Sequence, residues 1–238
     1  MKKDRKFLNH TQAVVLFLIL TVTLQVLGLK VSGFIRRTDL ISDYLTYGSK
    51  ILGLILIVEM VLLEKFTPVE FNSKALRFSF KDNRKTFIQS LLISLFIVAC
   101  FLGFRFYMNT KNPAYREIPL FGLYLNIHTR WLYPFNIVFQ EFFIKAFTQE
   151  NIGILLEDIS PNEKSKRSHA LLTTLITSMF FFTLHMQYPL YYMTGAFVLC
   201  FVTGLMYERD RNIWGAVMIH FAIGFLPRCL GVLQIIEG

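Results

Sequence analysis

Phe87 to Met108 reads FIQSLLISLFIVACFLGFRFYM, an apolar run whose one formal charge is Arg105. A helix rises about 1.5 Å per residue and a bilayer's hydrocarbon core is about 30 Å thick, so a run of roughly 20 apolar residues crosses it. Working outward from this stretch, comparable runs lie at 12–34, 44–63, 131–149, 169–186, 189–207 and 213–236. The reading is all-α: a polytopic membrane helix bundle of about seven to eight transmembrane helices, forming a single transmembrane domain over 1–238. Prolines punctuate it: Pro68 follows the second run, Pro113 and Pro119 precede the fourth, Pro134 lies near its start, and Pro189 separates the fifth from the sixth. The stretch 118–130 is apolar but broken by Asn126, His128 and Arg130, and reads as interfacial or re-entrant.

Composition agrees. Over the 238 residues, 54% are hydrophobic and mean hydropathy is +0.47, more apolar surface than a soluble core can absorb. Charged residues are only 17% and cluster between the runs, as loops between spans do. The net charge of +9 by itself invites nucleic acid. Basic clusters flanking apolar runs instead match anionic cytoplasmic lipid, so a bilayer and not a nucleic acid is the expected partner. Cys100, Cys200 and Cys229 all fall within apolar runs without CxxC spacing, so they read as buried, inert thiols. The leader MKKDRKF is followed by no small-x-small site, and reads as the start of an uncleaved first helix.

Lys and Arg counts orient the chain. With the N-terminus in the cytoplasm, fifteen lie in inside segments (residues 2–6, the 64–86 and 150–168 loops, and Arg209 with Arg211) against nine outside or at span ends. The bias predicts a multi-pass cell-membrane protein with a cytoplasmic N-terminus.

Ionisable groups at membrane depth are expensive, so each is a functional candidate. Glu141, Lys145, His185 and His220 stand out. Glu141 and Lys145, in QEFFIKAF, are at i and i+4 and share a helix face, which also allows a plain neutralising ion pair or a lysine reaching for the interface. His185 ends MFFFTLH and His220 lies in WGAVMIHF; a lone histidine of this kind is most often a satisfied core hydrogen-bonder. Two histidines and a carboxylate on three late helices suit water activation: the carboxylate takes a proton from water and the histidines orient it or steady an oxyanion. A zinc site with two histidines and one carboxylate is the neighbouring possibility, but no HExxH supports it and no cofactor is expected.

At these residues the chain resembles the CAAX protease and bacteriocin-processing family of membrane proteins, CPBP, also called Abi. That family's pattern is EExxxR on one helix, FxxxH on a second and HxxxN on a later one. Here the motifs stand as Gln140-Glu141-Phe142-Phe143-Ile144-Lys145, Phe181 to His185, and His220 to Gly224. Between the last two, TGLMYERDRNIWGAVMIH is similar to the family's glycine-containing helix, polar turn and histidine helix. The resemblance covers about 130–226. It implies a glutamate-dependent intramembrane endopeptidase of the CAAX-protease type acting on membrane-associated peptides, with Glu141, His185 and His220 as catalytic residues and Gln140, Lys145, Phe181 and Gly224 supporting them.

The departures are as informative. The family assigns water activation to the first glutamate of its motif, and Gln140 there accepts no proton at neutral pH. Glu141 is adjacent, but neighbours on an α-helix point about 100° apart, so replacing Gln140 requires a rotated helix or a different geometry. Lys145 keeps the charge of the family's arginine without its bidentate fork. Gly224 removes the amide of the family's asparagine. A second reading therefore stands beside the enzyme: a non-catalytic scaffold or bacteriocin immunity protein that binds a membrane or cell-wall partner. A small transporter or channel component fits less well, because the first half of the chain places little beyond Glu59 at membrane depth.

Overall fold

The computed structural model describes residues 9–35, 56–69, 71–80, 83–118, 127–159, 166–186 and 188–237. The basic cluster at 2–6, Arg36, Arg37 and Lys50, the 44–55 part of the second run, residues 119–126 and the 160–165 part of the expected loop lie outside the described residues. Among the described residues all regular structure is helical. α1 is His10–Ile35, residues 56–66 form α2, and α3 is Arg84–Lys111. α4, Ile127–Glu141, runs through a π-helical segment, Phe142–Gln149, into α5, Glu150–Ile159. There follow α6 (Lys166–Thr183), α7 (Leu190–Asp210), α8 (Trp214–Gly224), α9 (Leu226–Cys229) and α10 (Val232–Glu237). Single 3₁₀ turns occupy Ser73–Leu76 and Pro113–Glu117.

His10–Gly28 of α1, all of α3 and all of α7 are long and apolar enough to cross a membrane. α3 displays the logic best. Its buried residues are Thr86, Ser90 and Arg105, while Leu91, Leu92, Leu95, Phe96, Phe104 and Phe106 are exposed. In water that arrangement would be inside out; in lipid the polar groups find protein partners and the apolar ones find solvent. The all-α fold class and the membrane character stand on this reversal.

Three expectations change. The helix expected to end at 149 continues to Ile159. Polar residues inside it are supported by protein, with Asn151 Nδ2 donating to the Phe147 carbonyl at 2.7 Å and Gln149 Nε2 donating to Thr174 Oγ1 at 3.4 Å. The 213–236 run is not one helix but three, with Pro227 in the first turn of α9 and Gly231 at φ +67° between α9 and α10. Cys200 and Cys229 are buried as expected, but Cys100 is exposed, because the buried face of α3 is its polar one.

The chain divides into two compact units, each drawn from two stretches: Met1–Phe71 with Phe147–Cys200, and Asn72–Ala146 with Phe201–Gly238. In the first, α1 packs on α5 and α5 on α6. Ala13, Phe17, Thr21 and Gln25 follow an i, i+4 line along the buried face of α1, and Phe17 meets Phe147 edge-on with centroids 5.0 Å apart. Thr177 and Ser178 of α6 return their hydroxyls to the carbonyls of Thr173 and Thr174 at 2.8 and 2.7 Å, which lets small polar residues be buried.

In the second unit α8 packs against α3 and α4. A Cβ on Gly215 would stand 2.7 Å from Ser90 Oγ and 2.9 Å from Thr86 Cγ2, so only glycine admits this approach of α3 to α8. The buried Arg105 guanidinium donates to the carbonyls of Leu230, Ile118 and Tyr115, tying α3 to the chain on either side. Part of the 64–86 loop is also built in. Ala75 is fully buried, Ile213 N–H donates to its carbonyl at 3.2 Å, Trp214 Nε1 donates to Leu76 O at 2.9 Å, and Asn212 Nδ2 donates to Arg77 O at 2.8 Å.

Candidate functional site

The second unit places Glu141 and His220 together. Glu141 is the last residue of α4 before the π-helical segment, His220 is mid-way along α8, and the two helices pack on each other. On α4, Tyr133, Ile137 and Glu141 follow one i, i+4 ridge; on α8, Ala216, His220 and Gly224 follow another. Glu141 meets His220 along these ridges, and Tyr133 meets Gly224, so the helices are laid side by side in opposite directions.

His220 Nδ1–H donates to Glu141 Oε1 at 2.7 Å, a charge-assisted length, with the carboxylate 3% and the imidazole 6% exposed. Donation from Nδ1 fixes the tautomer in which Nδ1 carries the proton. Glu141 Oε2 is buried and makes no hydrogen bond among the described residues. A carboxylate oxygen buried without a donor costs on the order of 1–3 kcal/mol or more, so its retention calls for a physical reason. Lys145 lies in the π-helical segment, fully buried and not reaching for the interface, and its charge acts on Glu141.

The π winding bears on the altered motif. Wound with i→i+5 bonds, the segment after Glu141 breaks the α register on which a strict 100° separation depends, and such segments recur at functional sites. Gln140 is half-buried and Glu141 fully buried toward α8. The widened turn also leaves the Ala146 carbonyl to accept from Asn72 N–H at 3.0 Å, while Asn72 Nδ2 donates to Tyr207 Oη at 3.2 Å. Ala75, Ala146, Tyr207 and Ile213 form a small core beneath the segment.

His185 belongs to the first unit. It lies in the turn after α6, where its Nδ1–H donates to the Phe181 carbonyl at 2.8 Å and its ring meets the buried Phe181 ring edge-on, centroids 4.4 Å apart. The FxxxH motif thus has a local reason: a histidine one turn after a phenylalanine closes the helix end on that residue's carbonyl, fixing the imidazole so that Nε2 faces away.

At Gly224 a Cβ would stand 2.6 Å from Tyr133 Oη and 3.4 Å from His220 Cδ2. The space an asparagine would need is filled by a tyrosine hydroxyl. Tyr133, missed in the sequence, lies eight residues before Glu141, on the same ridge; that spacing was its available signal. Among the described residues no three His, Cys, Asp or Glu side chains group closely enough to hold a metal ion.

Residues 120–226 match the family model for Rce1-like proteins, described as type II CAAX prenyl endopeptidase Rce1-like. The match contains every motif residue named from the sequence, and the expected CPBP resemblance over 130–226 is borne out by it. This stretch is therefore similar to membrane proteins of the CAAX-protease type. No curated protein and no solved structure matches the chain.

Proposed function

We propose that this chain, Rce1-like over 120–226, is a glutamate-dependent endopeptidase that hydrolyses membrane-associated peptides, with Glu141 as its general base. The observation that carries this reading is the buried Glu141–His220 pair, with one carboxylate oxygen engaged and the other without a donor among the described residues. Oε2 takes a proton from water as the water oxygen attacks the peptide carbonyl carbon. The carboxyl group later delivers that proton to the leaving nitrogen as the C–N bond breaks. His220 holds the carboxylate in place, and Lys145 balances its charge in a medium where an unpaired anion would be costly.

Cleavage of co-expressed membrane peptides tests this. Glu141→Gln keeps the shape and removes the base, so activity is lost at unchanged protein level. His220→Ala is expected to lose it too, and His185→Ala tests whether the FxxxH histidine shares in the reaction. Indifference of the protein's biological effect to all three changes would overturn the enzyme and leave a non-catalytic scaffold, of which a bacteriocin immunity protein is one form.

The same reading places the chain in a cell membrane as a multi-pass protein with its N-terminus in the cytoplasm, supported by the distribution of Lys and Arg. In a cysteine-free background, single cysteines at Ser79 and Ser165 are expected to resist a membrane-impermeant thiol reagent added to intact cells. Ready labelling at both inverts the topology.

A further inference from the structure

The lipid-facing surface of α3, exposed at Ile88, Leu91, Leu92 and Leu95, does not stop where the helix begins. The chain before it, in the same unit, leaves Leu76, Phe78 and Phe80 at alternate positions 39%, 62% and 48% exposed. These rings are held against the first turns of α3 and α8. Phe78 and Phe80 meet Phe87 edge-on with centroids 6.2 and 5.1 Å apart, and Phe78 meets Trp214 in the same way at 5.7 Å. Trp214 is half-buried, and its Nε1–H is already given to the Leu76 carbonyl at 2.9 Å. A cluster of exposed aromatic rings is a liability in water, whereas the boundary between headgroups and acyl chains is where such rings settle. The first residue of a helix long enough to span a bilayer, Arg84, puts the cluster at that boundary.

The charges around the cluster have one sign. From 72 to 85 the sequence carries Lys74, Arg77, Lys81, Arg84 and Lys85 against Asp82 alone. Lys74, Arg77, Arg84 and Lys85 are exposed, and none of their side chains has a hydrogen bond or ion pair among the described residues. Other surface cations of this unit are spent on protein. Arg209 donates to Thr86 and Gln89, and Arg211 donates to Glu208 at 2.8 Å. Beyond the far end of α3, Lys111 sits 5.4 Å from the Tyr107 ring centre and Arg116 Nε donates to the Asn109 carbonyl at 3.2 Å. Four uncommitted cations beside exposed rings therefore distinguish one end of α3 from the other.

We propose that residues 74–80, with the first turns of α3 and α8, form a docking surface for anionic phospholipid. The lipid phosphates meet Lys74, Arg77, Arg84 and Lys85, and the rings of Phe78 and Phe80 enter the edge of the acyl layer. Continuity with the apolar face of α3 favours a lipid over an acidic peptide, because the same surface that carries the cations runs on into hydrocarbon. The docking surface depends on the chain's membrane character and not on peptide hydrolysis, so it stands or falls independently of cleavage.

The test reads Trp214 fluorescence in the full chain, with the other tryptophan removed by Trp131→Phe, in phosphatidylcholine vesicles. A fixed small fraction of the lipid, either phosphatidylglycerol or phosphatidylcholine, carries bromine near its headgroup and quenches a nearby indole. The anionic lipid is expected to associate with the site about fivefold or more in preference to the zwitterionic one, the factor that a single lysine or arginine near a charged surface contributes. Lys74→Gln, Arg77→Gln, Arg84→Gln and Lys85→Gln together should bring the preference to within about twofold of parity, while Lys111→Gln with Arg116→Gln should leave it intact. Raising the salt from about 0.1 to about 1 M should shrink it in the unsubstituted surface, an arm that holds even where the fourfold variant fails to insert. Equal quenching by the two lipids, quenching by neither, or a preference that survives the four substitutions or high salt would overturn the proposal. So would a polyglutamate peptide that shields Trp214 from both lipids, which would assign the surface to an acidic protein partner.

Discussion

Among the described residues two carboxylates are buried, one in each unit, and their surroundings differ. Glu59 of α2, 7% exposed, accepts from the neutral hydroxyl of Thr21 on α1 at 3.3 and 3.4 Å. Glu141, 3% exposed, accepts from an imidazole N–H at 2.7 Å, feels the charge of Lys145, and keeps one oxygen without a donor among the described residues. Burial alone does not make a site. A neutral hydroxyl holds one carboxylate, and an imidazole N–H with a cation near it holds the other. The same residue type thus serves as a helix-to-helix contact in one unit and as the candidate base in the other.

The largest expected contrast is in activity. Glu141→Gln should reduce peptide cleavage by about 10²–10⁴-fold, the usual contribution of a general base, while Glu59→Gln should leave kcat and KM within about twofold. Comparable losses in the two variants would erase the distinction and give Glu59 a part in the chemistry.

A smaller contrast lies in stability. His220→Ala leaves the Glu141 carboxylate buried beside Lys145 without its hydrogen-bond partner, and should cost about 3–5 kcal/mol in denaturant unfolding of the detergent-solubilised chain. Thr21→Ala removes a long hydrogen bond to Glu59 and should cost about 1 kcal/mol. A reversed order would mean that Glu59, not Glu141, carries the uncompensated charge.

Much of this was legible before any coordinates. Apolar runs of span length, broken by charged clusters, determine an all-helical membrane fold, because a chain in hydrocarbon has to satisfy its backbone hydrogen bonds within itself. The motif residues at 140–145, 181–185 and 220–224 marked the candidate site, since charge at membrane depth is retained only at a cost. Tertiary structure decided the rest. Hydropathy is blind to direction, so it reads 213–236 as one span although Pro227 and Gly231 divide it, and reads Cys100 as buried although α3 turns its polar side inward. An α-helical wheel cannot foresee the π-helical segment after Glu141, because i→i+5 winding is stabilised by what packs around it, here Asn72 donating to the Ala146 carbonyl. Nor can spacing within one helix reveal that the hydroxyl of Tyr133 fills the space left by Gly224, for the two are 91 positions apart in the chain and meet only because α4 and α8 pack ridge against ridge.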